Sequence, residues 1–392
     1  MLALLAPGQG SQKPGFLSPW LDDSATGTAA AAQLRWLSTL TGLDLLHLGT
    51  EAGADEIKDT AKTQPLLVAA GLVAAATLPL DDVSVVAGHS VGELTAAALA
   101  GVLSPESAVA LAAVRGREMA AACALEPTGM SAVLGGNPDE VLAKLAELGL
   151  TAANRNGAGQ VVAAGPLDAL EKLAADPPAK ARVITLQVAG AFHTAYMAHA
   201  GQALAAVAAG VQVHEPVRLL LTNADGSAVA TGAETLNRLV RQVTSPVRWD
   251  LCQQSLADLG VTGAIELAPA GTLAGLAKRT LKGVEIVTLN TPGDLKAARD
   301  LISRHGGPAL FEPTVQFFVT VATTAGTFVP AEIAEGDEVR AGTPVGFVEN
   351  RQGSTPIEAV HTGVLAEWLV HPGDPVASGQ PLARLHPMEA AR

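Results

Sequence analysis

Cysteine is almost missing from this chain: Cys123 and Cys252 are the only two in 392 residues. Two such residues build no disulfide framework and have no metal-ligand spacing, so no metal is expected and a reducing, cytoplasmic setting is. Aromatics make up 3% of the sequence while hydrophobic residues make up 48%, so the core must be built from Ala, Val and Leu. Positive charge is in deficit. Lys and Arg number 25 against 38 Asp and Glu, a formal net charge of -13, which argues against general binding to nucleic acid or to an anionic membrane. No apolar run reaches membrane-spanning length without Gly, Pro or charge. The opening Met1-Leu2-Ala3-Leu4-Leu5 has no basic flank and is interrupted by Pro7-Gly8, so a signal peptide is not expected. These absences leave an acidic, water-soluble chain with room for about two or three domains and a large core.

What is present centres on the stretch from Val83 to Glu93. An apolar, β-branched run ends in Gly88-His89-Ser90-Val91-Gly92, and a helix-forming stretch to Ala100 follows. Strand, tight turn, helix is the setting in which a G-x-S-x-G serine is presented at the carboxyl edge of a parallel sheet. Side chains at Gly88 and Gly92 would obstruct the approach of strand and helix. Ser90 then stands where free backbone N–H groups favour a developing negative charge. The pentapeptide alone serves equally as a nucleophile elbow or as a plain helix cap.

Other stretches gather around it. Leu2 to Ala6 reads as a buried strand, with Pro7-Gly8-Gln9-Gly10-Ser11-Gln12 as a loop that is either a turn or a source of oxyanion donors. This loop lacks the spacing and lysine of a phosphate-binding motif. Thr63-Gln64-Pro65 opens an apolar helix to about Ala76, with Pro65 in its first turn and Gln64 just outside. A second helix, Pro105 to about Ala122, carries Arg115 and Arg117 on different faces, so at most one of them points inward. His193 lies at a loop-to-helix junction. From Met130 to Gln187 the order is βαββαβ, a ferredoxin-like subdomain inserted into a larger α/β unit with a parallel sheet. Lys278, Arg279 and Lys282 are expected on one helix as a small basic face.

Past Arg304 the chain changes character. Helical patterns stop and lysine disappears: none follows Lys296. An internal repeat takes over. Gly326-Thr327-Phe328 and Gly336-Asp337-Glu338-Val339 through Gly342-Thr343-Pro344-Val345 match Gly363-Val364-Leu365 and Gly373-Asp374-Pro375-Val376 through Gly379-Gln380-Pro381-Leu382. Such a duplication predicts two similar β-lobes related by quasi-twofold symmetry, with a hairpin from Glu349 to Thr355 between them.

Six stretches now stand together: Gly8-Gln9-Gly10-Ser11-Gln12, Thr63-Gln64-Pro65, Gly88 to Glu93, Arg115-Gly116, Gly190-Ala191-Phe192-His193 and Ser245-Pro246-Val247-Arg248-Trp249. In that order they resemble the malonyl-CoA:acyl carrier protein transacylases, over roughly Met1 to Pro292. The resemblance implies an α/β acyltransferase fold with a hydrolase-like parallel-sheet core. It implies Ser90 as nucleophile, His193 as base, and the backbone carbonyl of Gln242 as the group that orients His193. Oxyanion donors would be the N–H groups of Gln9 and Val91, while Arg115, Phe192 and Gln64 would bind the acyl group. Malonyl-CoA and the acyl carrier protein are the implied substrate and partner, with no bound cofactor. The last eighty or so residues resemble a biotinyl/lipoyl carrier domain, an all-β barrel-sandwich. Gln352 stands where the modified lysine belongs, so no biotin or lipoate is expected and a docking role is open.

The expected division is a core of 1–124 and 190–300, the insertion 125–189, a linker 301–310 and the β-domain 311–387. The chemistry agrees with the implied roles, since a serine hydroxyl needs a base within reach and a guanidinium grips a carboxylate with two parallel bonds. Two readings compete: a thioesterase or other serine hydrolase, and a scaffold with a carrier-like docking domain. Arg115 together with the Gln9 loop favours a carboxylated acyl group.

Overall fold

The computed structural model describes residues 1–307, 318–351 and 353–387, in two compact units divided after Phe311. Among the described residues of the first unit there are nine strands: β1 (Leu2–Ala6), β2 (Val85–Gly88), β3 (Thr128–Gly135), β4 (Thr151–Gly157), β5 (Gln160–Pro166), β6 (Ala181–Thr185), β7 (Leu219–Leu221), β8 (Gly263–Glu266) and β9 (Glu285–Thr288). Five of them form a parallel sheet in the order β7-β2-β1-β8-β9. The central strand β1 is the unbroken run Leu-Ala-Leu-Leu-Ala because both its faces are covered. Leu2 and Leu4 pack into one hydrophobic cluster, Ala3 and Leu5 into another on the opposite face.

The helix Thr60–Ala75 is buried almost all round, which its lack of a polar face permits. It starts earlier than its apolar pattern. The Asp59 side chain caps it by accepting from the Ala61 N–H at 2.9 Å, so Pro65 lies inside the helix and Gln64 is a buried helical residue, not one just outside.

The insertion is an antiparallel sheet in the order β4-β5-β3-β6, the ferredoxin-like arrangement expected from βαββαβ. Its helices Pro138–Glu147 and Leu167–Ala175 close a separate small core with Val133, Val141, Leu145, Leu170 and Leu173. Backbone bonds tie it to the parent unit: Val247 donates to Ala153 at 2.8 Å and accepts from Arg155 at 2.9 Å.

Two boundaries differ from expectation. The helix Leu295–His305 runs through the first half of the predicted linker, because Leu301 and Ile302 pack into the main core. Lys282 falls outside the helix that holds Lys278 and Arg279, which spans Thr272–Thr280. Leu281 is buried in the second cluster and draws the chain inward there.

The described residues of the second unit form two four-stranded antiparallel sheets. The repeat exchanges partners: Glu338–Val339 of the first copy pairs with Gly363–Trp368 of the second, and Pro375–Val376 of the second pairs with Gly326–Pro330 of the first. Gly336 and Gly373 have φ of 95° and 90°, and Gly342 and Gly379 both have 82°. These left-handed turns explain why the repeat keeps glycine at both places. The hairpin joins Pro344–Asn350 to Gly353–Glu358, while Gln352, the position of the missing lysine, lies outside the described residues.

Candidate active site

Ser90 is set by the collision limits of its turn. A Cβ on Gly88 would come within 2.0 Å of the Gly92 backbone, and one on Gly92 within 2.2 Å of the Ala6 carbonyl oxygen. Only glycines let the strand β2, the helix Gly92–Leu99 and the end of β1 meet this closely. The turn puts Ser90 at φ 53°, a left-handed conformation that a serine adopts only under constraint. Asn223 supplies that constraint. Its Oδ1 accepts the Ser90 N–H at 2.8 Å and its Nδ2 donates to the Gly88 carbonyl at 2.8 Å.

His193 approaches from the loop after β6, also at positive φ, 60°. The loop is pinned by Thr194 Oγ1 donating to the Ala191 carbonyl at 2.6 Å and by the Ala191 N–H donating to Thr128 Oγ1 at 3.0 Å. His193 Nε2 lies 2.8 Å from Ser90 Oγ, and Nδ1 lies 2.8 Å from the Gln242 backbone oxygen. A carbonyl only accepts, so Nδ1 carries the proton and Nε2 is left free to receive one from the serine hydroxyl. Burial, then the nearby Arg115 charge, push the His193 pKa down to about 3, so the imidazole is neutral at pH 7.

Arg115 is 2% exposed, whereas Arg117 lies on the outside of the same helix beside Glu118. Nη1 of Arg115 donates to Gln64 Oε1 at 2.5 Å, and Nη2 donates to Gln242 Oε1 at 2.9 Å and to Ser90 Oγ at 3.4 Å. Burial lowers its pKa to about 10, which still leaves it charged at neutral pH.

A cavity of about 450 Å³ brings together Gln9, Gln64, Ser90, Val91, Arg115, Phe192 and His193; Gln242 stands behind its wall. Among the described residues, neither the Gln9 nor the Val91 backbone N–H has a protein acceptor, so both are available as donors to a ligand.

Three further residues belong to the arrangement. Asn223 has the sequence signal of a polar pair, Thr222-Asn223, directly after the apolar run Leu219–Leu221. His89 is half-buried, packed edge-on to Trp249 with Nε2 2.9 Å from Asn156 Oδ1. Glu93 closes the Gly88–Glu93 stretch, where nothing announces that its carboxylate is buried. That burial raises it to about 7, against hydrogen bonds from Asn223, Thr222 and Gln242 and the charge of Arg115.

A neutral imidazole on a strained serine, two free amides and a buried guanidinium form a set suited to acyl transfer. The family model of the acyl transferase domain matches residues 4–300. The malonyl CoA-acyl carrier protein transacylase of Mycobacterium tuberculosis H37Rv is 55% identical over 307 residues, covering 77% of this chain and all of that one.

The chain belongs to the malonyl CoA-acyl carrier protein transacylase family.

Structural likeness within the family runs the same way. The crystal structure of MCAT from Mycobacterium tuberculosis superposes with a TM-score of 0.73, covering 76% of this chain and 99% of that one, at 55% identity. A type II PKS acyl-carrier protein in complex with its malonyl-transacylase gives 0.72 at 29% identity, covering 76% and 99%. Residues 319–388 match the model of the biotin-requiring enzyme domain. No helix among the described residues is long and apolar enough to cross a membrane.

Proposed function

We propose that this transacylase-family chain moves malonyl from coenzyme A to the pantetheine thiol of an acyl carrier protein, in fatty acid or polyketide synthesis. Ser90 Oγ attacks the thioester carbonyl while His193 Nε2 takes its proton. The oxyanion forms against the Gln9 and Val91 N–H groups; such a donor contributes about 3 kcal/mol to catalysis. The C–S bond breaks, and the departing sulfur receives the proton from His193. The carrier thiol then gives its proton to His193, attacks the malonyl ester, and Ser90 recovers its hydroxyl. Arg115 pairs with the malonyl carboxylate, Gln64 holds that guanidinium, and Phe192 walls the acyl pocket. The observation that carries this reading is the buried guanidinium 3.4 Å from Ser90 Oγ, a cation placed where the acyl group of a serine ester would lie.

The experiment is to supply malonyl-CoA with and without carrier protein and weigh both proteins. The expected result is a malonyl mass on the carrier and little free malonate. Rapid release of malonate with an unmodified carrier would make the chain a hydrolase and overturn the reading.

The domain division that goes with this function is a core of 1–124 with 190–300, carried on to His305 by its last helix, the insertion 125–189 and the β-domain from about 311 to 387. We further propose that the β-domain carries neither biotin nor lipoate, since no lysine follows Lys296, and that it serves as a docking module. Its retained turns support a fold kept without its cargo: the Gly336 N–H bonds the Leu365 carbonyl at 2.7 Å and the Gly373 N–H bonds the Phe328 carbonyl at 2.8 Å. A chain ending at Gly307 should lose self-association, thermal stability or transfer rate to carrier protein. If all three match the full chain, the docking role is wrong. A cytoplasmic location goes with this reading, and two scattered cysteines with no disulfide framework suit it.

A further inference from the structure

Glu93 makes no contact with the cavity, yet Ser90, His193 and Arg115 are each tied to its carboxylate through two hydrogen bonds. Its Oε1 accepts the Asn223 backbone N–H at 2.7 Å, and its Oε2 accepts from Gln242 Nε2. Asn223 in turn holds the Ser90 N–H. Gln242 has three tasks. Its Nε2 also reaches the Ser90 carbonyl at 3.0 Å, its Oε1 accepts from Arg115, and its backbone oxygen accepts from His193.

The orientation of the Gln242 amide follows from its neighbours. Arg115 only donates, so the oxygen must face it; a carboxylate only accepts, so the NH₂ must face Glu93. An acceptor-only group at Glu93, together with the Ser90 carbonyl at 3.0 Å and Asn223 Oδ1 at 3.2 Å, therefore holds the Gln242 NH₂ and keeps its oxygen toward the guanidinium.

We propose that Glu93 is a positioning residue for malonyl selection: as a carboxylate it fixes the Gln242 amide so that Arg115 presents its free N–H groups to the acyl carboxylate beside Ser90. This inference rests on the malonyl-transfer reading. It adds a group that touches neither substrate nor reacting atoms.

Glu93→Gln keeps the shape and removes the acceptor-only character. The two oxygens of Glu93 face three donors, the Asn223 N–H, the Thr222 hydroxyl and Gln242 Nε2, whereas a glutamine offers one oxygen and one NH₂. Either the Asn223 N–H loses its acceptor, or Gln242 turns over and aims its NH₂ at Arg115. Both outcomes disturb the guanidinium or the elbow without removing either.

The pH dependence has a definite sign. Facing Glu93 are Arg115 from the helix Pro105–Cys123, Cys252 from the helix Trp249–Asp258, and Arg238 from the helix Gly232–Gln242, the last tied to Asp225 and Glu234. His89 and His193 lie beyond Ser90. Protonation of Glu93 on falling through about pH 7 gives it a donor and weakens the arrangement, so activity falls with it. Stability moves the other way. A carboxyl whose folded pKa is raised contributes stability that is complete below the unfolded value and lost as pH rises through the folded one. An acid loss of activity at Glu93 is therefore not an unfolding effect. His193 does not titrate in this range.

The test compares the full-length wild type, Glu93→Gln and Glu93→Asp for malonyl and acetyl transfer from the CoA thioesters, each across pH 5 to 8 and with a melting curve. The expected result for Glu93→Gln is a malonyl kcat/KM lower on the order of 100-fold and a malonyl-to-acetyl ratio lower by about tenfold or more. Its acid limb near pH 7 should vanish, and Glu93→Asp should restore part of both. Equal loss for both substrates with the limb retained would overturn the proposal, as would a variant within about threefold of wild type. Should Glu93→Gln fail to fold, the wild-type profile decides: no acid limb between pH 6 and 8 contradicts the assignment. A wild type that transfers no malonyl at all would instead remove the underlying reading, so the two failures are distinguishable.

Discussion

Arg115→Ala is expected to lower the malonyl kcat/KM on the order of 10³-fold while lowering the acetyl value far less. The reason lies in where the cation is kept. It is 2% exposed, held by Gln64 Oε1 and Gln242 Oε1, with Nη2 directed at Ser90 Oγ. A malonyl carboxylate meets that cation out of water, where a charge-assisted pair is strongest. An acetyl group leaves it unpaired, and sites built around a polar contact reject ligands that lack it by large factors. Arg115→Lys should rescue little, because an ammonium cannot bond Gln64, Gln242 and a carboxylate in one plane. The quantity to measure is the ratio of the two specificity constants. A ratio unchanged within about threefold would mean that another group holds the carboxylate. Arg117 is a poor substitute, being exposed and paired with Glu118.

Ser90→Ala is expected to reduce malonyl transfer by roughly 10⁴-fold or more, since it removes the hydroxyl that lies 2.8 Å from His193 Nε2. Its melting temperature should stay within a few degrees of wild type. The turn is held by Gly88, Gly92 and Asn223 acting on the backbone, and none of those contacts uses the Ser90 hydroxyl. Rates and melting curves on the same preparation separate the two effects. A variant with substantial residual transfer would show that Ser90 is not the nucleophile.

Much of this was legible because the signals are local. The nucleophile turn is written in five adjacent residues, and β1 in an uninterrupted apolar run. The ferredoxin-like insertion shows itself by alternating strand and helix patterns, and the β-domain by its repeat. What could not be read depends on tertiary burial. Glu93 follows the motif as an acidic first-turn residue, ordinary in composition, and only the fold turns it inward. Gln64 was misplaced because the helix is started by a polar cap, Asp59, several residues before the apolar pattern begins. The last helix overran the expected linker for a related reason: Leu301 and Ile302 gain their meaning from the core they meet. His193 and Gln242 carry no local signal of partnership. They are 49 residues apart and joined by one hydrogen bond of 2.8 Å, and only a resemblance supplied the pairing in advance.

The central claim is that acyl transfer runs through a malonyl ester on Ser90, and brief exposure of the full chain to malonyl-CoA tests it most directly. After acid quench, digestion and peptide mass analysis, one malonyl group should sit on the peptide containing Ser90. It should disappear when carrier protein with its pantetheine thiol is added before the quench, and it should never form in Ser90→Ala. A malonyl group on any other residue, or an adduct that persists in Ser90→Ala, would contradict the account.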